Sequence, residues 1–267
     1  MRFQFYPPSK SLKPYVRGFL EADFRNALEN GDHLLFPNGL SGIFFNFGPR
    51  GTMILKTEFE TPAISIFGQI DRHFKVTNPI GFYSIGVLLH PTLLSKLFRI
   101  DMSEFCNAAF DGSLLNKDLT QLHEQMQEDA SIVSKISLIE AYFLKALEPI
   151  APGRTISDFA LQLIQQPEAP SIEQVARQLN ISQRYLERNF NQSVGVAPKT
   201  YSMILRFMRV EQQLKTMSKA SWHKMNFAHE YHDQNHFIKD FKRFTGNTPS
   251  RYLLDNFEMG KSYLMAR

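Results

Sequence analysis

One cysteine, Cys106, occurs among 267 residues, so the chain can close no internal disulfide and can build no thiolate-rich zinc site. A lone thiol of this kind reads as a small apolar residue of the interior. No stretch approaches the roughly 18 uncharged apolar residues that a membrane span requires. The opening MRFQFYPPSK lacks the apolar run and small-residue cleavage site of a secretion signal. These absences lead us to expect a cytoplasmic protein with no membrane partner. A Gly-x-Ser-x-Gly nucleophile elbow is also missing. His33, His73 and His90, with Asp32 and Asp71, invite a metal-dependent, cupin-like enzyme as a rival reading. None of these histidines forms a His-x-His or His-x-x-x-His pair, so neither catalysis nor a cofactor is expected.

What is present is ordinary globular material, with 43% hydrophobic and 21% charged residues. At this length two domains are the natural count, because single cores stop growing near such a size. Charge divides them. From Arg154 onward 16 Lys and Arg face 10 Asp and Glu, whereas residues 1–153 carry 14 against 16. The chain's net charge of +4 therefore belongs to its C-terminal part, the half suited to a polyanion.

The first ninety residues read as strands joined by turns: 15–22, 33–36, 42–47, 52–56, 64–69, 74–77 and 82–90. Gly48-Pro49-Arg50-Gly51 reads as a hairpin turn. An antiparallel sandwich or small barrel is expected. After Pro91 the spacing turns helical, in LLSKLF and in Ser103 to Ala109. Two longer helices follow, one with Leu115, Leu119, Leu122 and Met126 on one face, the other with Ile132, Ile136, Ile139, Phe143 and Leu147. Such stripes suit either packing on the sheet or a dimer surface. Residues 1–150 thus form an α+β domain, ending at a proline- and glycine-marked linker from Pro149 to Gly153.

Residues 154–257 read as an all-α domain of seven helices, in which two helix pairs flank a longer helix starting at Pro198. In the first pair Ser171 caps a helix with Ile172, Val175, Ala176 and Leu179 on one face. Asn180 tolerates the left-handed turn that follows, and Ala176 is small enough for a close helix approach. Ser182 caps the second helix. Its Tyr185, Leu186 and Phe190 are expected to face inward, and Gln183, Arg184, Glu187, Arg188 and Asn191 outward. Arginine can bond guanine with two hydrogen bonds, glutamate can accept from cytosine, and Asn or Gln can read adenine.

SIEQVARQLNISQRYLERNF, GVAPKTY and DQNHFIKDFKRFTGNTPSRYL together resemble the tandem helix-turn-helix domain of the AraC/XylS regulators over about residues 155–255. The resemblance implies recognition helices at 182–192 and 233–244, reading two successive major grooves of double-stranded DNA. It places base contacts at Arg184, Glu187 and Arg188, and at Gln234, Asn235 and Lys239. Lys242 and Arg243 lie where phosphates would be held. A joining helix of about twenty residues spans about 30 Å, near the ~34 Å between grooves one turn apart.

The second unit departs from the family pattern, with Asn226 and Glu230 where Ala and Gly are usual. A turn remodelled around Glu230 is expected. His223, His229, His232 and His236 cluster there without an acidic partner at ligand spacing, as packing and phosphate-contacting residues rather than a metal site. Residues 1 to about 110 resemble the sensor-like domains of such regulators in LKPYVRGF, HLLFPNGLSGIFFNFG and IGFYSIGVLLHP. The expectation is a sequence-specific transcription regulator, an activator acting as a homodimer with RNA polymerase, carrying a small-molecule effector in its N-terminal domain. An N-terminal protein-interaction module is the remaining alternative.

Overall fold

The computed structural model describes residues 2–54, 58–128, 131–150, 154–166, 168–216, 231 and 233–258. Ten strands come first: β1 (Arg2–Tyr6), β2 (Val16–Asp23), β3 (Gly31–Leu35), β4 (Ser41–Phe47), β5 (Thr52–Ile54), β6 (Glu58–Glu60), β7 (Ile64–Phe67), β8 (Phe74–Asn78), β9 (Tyr83–Leu89) and β10 (Ala109–Asp111). They form two antiparallel sheets, of order β1-β2-β9-β4-β7-β10 and β3-β8-β5-β6. Strand β9 is central in the larger sheet and buried along its whole length, which is why YSIGVLL runs apolar instead of alternating.

The period-two alternation of β4 separates the two faces of that sheet. Ile43 and Phe45 point into the main core, together with Ile85, Val87, Ile64 and Ile66. Phe44 and Asn46 point the other way, toward the smaller sheet and the cavity between the two. The core face is covered by α1 (Leu93–Phe98), α2 (Lys117–Glu128) and α3 (Ile132–Leu147). Leu119, Leu122 and Met126 of α2 are buried there, as are Ile139 and Phe143 of α3, while Ile132 and Ile136 pack partly buried beside them. The α3 stripe is therefore core and not a dimer surface. The opposite side of α3 leaves Val133 and Leu144 exposed.

Several sequence expectations are corrected. Gly48 to Gly51 is not a hairpin, since β4 and β5 lie in different sheets and these four residues carry the chain across the corner between them. The helical spacing of 103–109 yields only a short 3-10 turn at Met102–Phe105, and Ala109–Asp111 then adds an edge strand to β7. Strands β1 and β6 were not legible: β1 is a partly exposed edge strand and β6 has three residues.

The second half contains α4 (Ile156–Ile164), α5 (Ile172–Gln178), α6 (Gln183–Val194), α7 (Pro198–Thr216), α8 (Gln234–Thr245) and α9 (Pro249–Glu258). Two cores meet along α7. One gathers Val175, Ala176, Leu186, Phe190, Val194 and Tyr201. The other gathers Ile204, Phe207, Leu214, Phe237, Phe241 and Phe244. The N-terminal domain contributes to both, with Cys106 against the first and Phe36 against the second. The two halves are thus docked through side chains of both. No helix among the described residues is long and apolar enough to cross a membrane.

Candidate nucleic-acid interface

The first helix-turn-helix unit is built as its residues require. Thr155 and Ser171 each cap a helix reciprocally, with Asp158 and Gln174 respectively reaching back to the cap backbone. Asn180 sits at φ 54°, the left-handed turn between α5 and α6, and the Ile181 amide donates to the Ala176 carbonyl at 3.1 Å. Ser182 Oγ then accepts from the Tyr185 amide at 3.2 Å, starting α6. Leu186, Phe190 and Val194 recur at four-residue steps and are fully buried.

That stripe leaves Gln183, Arg184, Glu187 and Arg188 exposed on the far side of α6, with Asn191 half-buried at its edge. Gln183 Nε2 donates to Glu187 Oε1 at 2.8 Å, which holds the carboxylate in position. Tyr185 does not face inward. It lies about 100° around the helix from Leu186, is 39% exposed, and has the Arg188 guanidinium 5.3 Å from its ring centre. The four-residue spacing of the buried stripe contains this signal, so Tyr185 belongs with the outward face.

In the second unit Asp233 caps α8, its Oδ1 accepting from the His236 amide at 2.7 Å. Phe237, Phe241 and Phe244 are buried, and Gln234, Asn235, Lys239, Lys242 and Arg243 are exposed. The sequence-selected residues thus share the solvent side of α8 as they do that of α6. His236 is on this side too, 4.0 Å from Asp240. Asn226, Glu230, His223, His229 and His232 lie outside the described residues. The joining helix α7 has 19 residues, hence about 28 Å.

Sequence reasoning missed how both recognition helices are seated. Each ends in a left-handed glycine set against the N-terminal domain. At Gly195 (φ 100°) a Cβ would come within 2.7 Å of the Met102 carbonyl oxygen, and at Gly246 (φ 74°) within 2.6 Å of the His73 ring. Polar bonds reinforce the contact. Asp158, besides capping α4, accepts from Thr92 Oγ1 and Lys96 Nζ, both at 2.7 Å. The buried Tyr201 hydroxyl donates to the Gly39 carbonyl at 3.2 Å. Arg243 pairs with Asp71 at 2.8 Å, an arginine that the sequence had assigned to phosphate. Burial pushes the Asp71 carboxyl up, yet the bonds from Arg72, Asn107 and Arg243 together hold it below its ordinary value. These contacts join residues far apart in the chain, so periodicity and spacing could not reveal them.

Among the described residues no three histidine, cysteine, aspartate or glutamate side chains come together around a common point for a metal ion. His33 lines the cavity between the sheets, and His73 abuts Gly246. The Cys106 thiol, half-buried beside Asp71, is pushed up to about 11 by burial and by that carboxylate.

No curated protein sequence matches the chain. Among solved structures, ToxT from Vibrio cholerae is similar at 12% identity over 88% of this chain and 97% of that one, with a TM-score of 0.46. The C-terminal domain of AraT, a response regulator from Geobacillus stearothermophilus, is similar at 24% identity over 44% and 97%, with a TM-score of 0.33. The AraC-like transcriptional activator CuxR matches at 14% identity over 73% of each chain, with a TM-score of 0.26. Residues 4–111 match a family described as a domain of unknown function, DUF6597. Residues 175–254 match a family described as a helix-turn-helix domain, so the C-terminal half of this chain contains a helix-turn-helix domain.

Proposed function

We propose that the protein is a sequence-specific transcription regulator, not an enzyme, which reads bases chiefly through α6. The observation that carries this is the outward face of α6. Gln183, Arg184, Glu187 and Arg188 project from a helix locked by a buried Leu186–Phe190–Val194 stripe, while the same half of the chain holds the excess positive charge. Arg184 and Arg188 supply bidentate donors for guanine, and Glu187, held by Gln183, is an acceptor for cytosine N4. Gln234, Asn235 and Lys239 meet the next groove, and Lys242 and Arg243 meet phosphate. Activation through RNA polymerase, action as a homodimer in the cytoplasm, and an effector held between the two sheets complete this reading.

Selection of binding sites from random DNA by the full chain, at stated salt, tests it. A defined motif should emerge, and Arg184→Ala or Arg188→Ala should weaken binding to it by about 1–3 kcal/mol and relax one or two base positions. Lys242→Ala should weaken selected and random DNA alike and reduce the salt slope by about one. Selection that returns no motif sinks the reading.

A further inference from the structure

The inter-sheet face of the N-terminal domain encloses a cavity of about 190 Å³. An engineered apolar cavity of roughly 150 Å³ accommodates benzene, so this one has room for a somewhat larger molecule. Its apolar walls combine aliphatic side chains with aromatic ones, Phe44, Phe67, Phe74 and Phe82 among them. Two of its lining residues carry a buried polar atom without a hydrogen-bond partner: Ser41 Oγ, on a residue 2% exposed, and His33 Nε2, on a ring set against Phe3 and Phe24. Several other polar walls, Thr61, Ser65 and Ser84 among them, are already engaged. Asn46 Nδ2 donates to the Pro62 carbonyl and to Ser65 Oγ, and Asn46 Oδ1 accepts from Ser84. Buried polar groups without partners are rare in folded proteins and call for an explanation, such as a group that a ligand completes.

The charge of the lining narrows the ligand further. No lysine or arginine is among the described lining residues. Their one carboxylate, Asp32, is half exposed and tied at 2.7 Å to both Lys75 Nζ and Thr77 Oγ1. Burial lowers the pKa of His33, so at neutral pH the imidazole adds no positive charge. An anion entering this space would lose its water and find no cation, an unfavourable exchange. An apolar molecule with one hydroxyl or carbonyl loses little and satisfies an orphaned atom.

We propose that the cavity binds an uncharged, largely apolar small molecule, flat enough to lie among the phenylalanine rings, whose polar group bonds to Ser41 or His33. This rests on the effector reading above and gives that effector its chemical class. The cavity is also lined by Asn247 and Tyr252 of the DNA-binding domain, whose Tyr252 ring lies 5.6 Å from that of Phe36. Occupancy therefore touches the second helix-turn-helix unit directly.

The full chain, titrated calorimetrically at pH 7.5 with 1-naphthalenemethanol and with 1-naphthoate, tests the charge class on two molecules of nearly one shape. The alcohol should bind at least tenfold more tightly than the carboxylate. Ser41→Ala should weaken the alcohol several-fold, and Leu34→Lys, at a half-buried lining position, should bring the carboxylate to parity or better. Equal or tighter binding of 1-naphthoate to the unmodified chain overturns the proposal, and so does absence of alcohol binding up to millimolar concentration. Titration of the same preparation with its selected DNA site keeps the two readings apart. Intact DNA binding without alcohol binding removes only the ligand class, whereas loss of DNA specificity removes the regulator reading and leaves the ligand result standing.

Discussion

In α6 and α8 alike a buried apolar stripe backs an exposed polar face, yet the two units are attached differently. The first meets the N-terminal domain where Gly195 abuts Met102, where Asp158 accepts from Thr92 and Lys96, and where Tyr201 bonds to Gly39, and its Arg184 and Arg188 remain on the exposed face. The second is bound through its recognition helix and the helix after it: Arg243 is paired to Asp71, Phe36 packs into its core, and Tyr252 walls the cavity. On the proposed reading, base recognition falls to the first unit and control to the second. A unit whose candidate phosphate-binding arginine is held by Asp71 of the other domain is suited to regulation, and one whose polar face is open is suited to constant recognition.

The largest expected effects come from cutting each core. Phe190→Ala and Phe241→Ala each remove a fully buried ring and should cost about 3–5 kcal/mol. The consequences should differ in reach. Phe190 meets Tyr201 at 5.7 Å between ring centres, and Tyr201 reaches Gly39, in the segment between β3 and β4. Phe241 stacks edge-on to Tyr252 at 5.1 Å, and Tyr252 in turn meets Phe36. Amide hydrogen exchange should therefore accelerate in β3 after Phe241→Ala and stay unchanged there after Phe190→Ala. Equal acceleration in both would erase the proposed difference in attachment.

A smaller contrast separates the two capping glycines. Alanine at either position costs about 1 kcal/mol for its left-handed backbone. Gly195→Ala also drives a methyl against the Met102 backbone carbonyl, which has little room to retreat, whereas Gly246→Ala meets an imidazole that can turn aside. Thermal denaturation should show the larger loss for Gly195→Ala. The reverse order would mean that the second unit is the more rigidly seated.

Much of the DNA-binding half was legible because its signals are local. The caps Ser171 and Ser182, the left-handed Asn180 and the Leu186–Phe190 step all sit within a turn or two of what they specify. Tyr185 was misplaced because an aromatic beside leucine reads as core, although the four-residue step puts it outside. The sandwich was legible as a class, but its sheet membership was not. Gly48 to Gly51 signals a reversal whether the chain returns within one sheet or crosses to another, and only pairing partners far along the chain decide between them. Interdomain contacts were invisible for the same reason, since Asp71 and Arg243 are separated by 172 positions.

The finest test of the comparison is that one ion pair. Asp71→Asn keeps the side chain's shape and removes the charge that holds Arg243, a pair whose members are 14% and 43% exposed and so contributes about 1 kcal/mol or less. If docking competes with phosphate binding, the substitution should raise DNA affinity by up to about fivefold. A carboxyl held below its ordinary 3.8 adds stability above that value and loses it as pH falls through the lowered one, so the effect should be level between pH 6 and 8. The second arm of a double-mutant cycle makes the assignment specific: in an Arg243→Ala background, Asp71→Asn should change DNA affinity by nothing measurable. Unchanged affinity in the single variant would show that Arg243 leaves Asp71 at no cost or does not leave it, and the second unit would then be as independent of the N-terminal domain as the first.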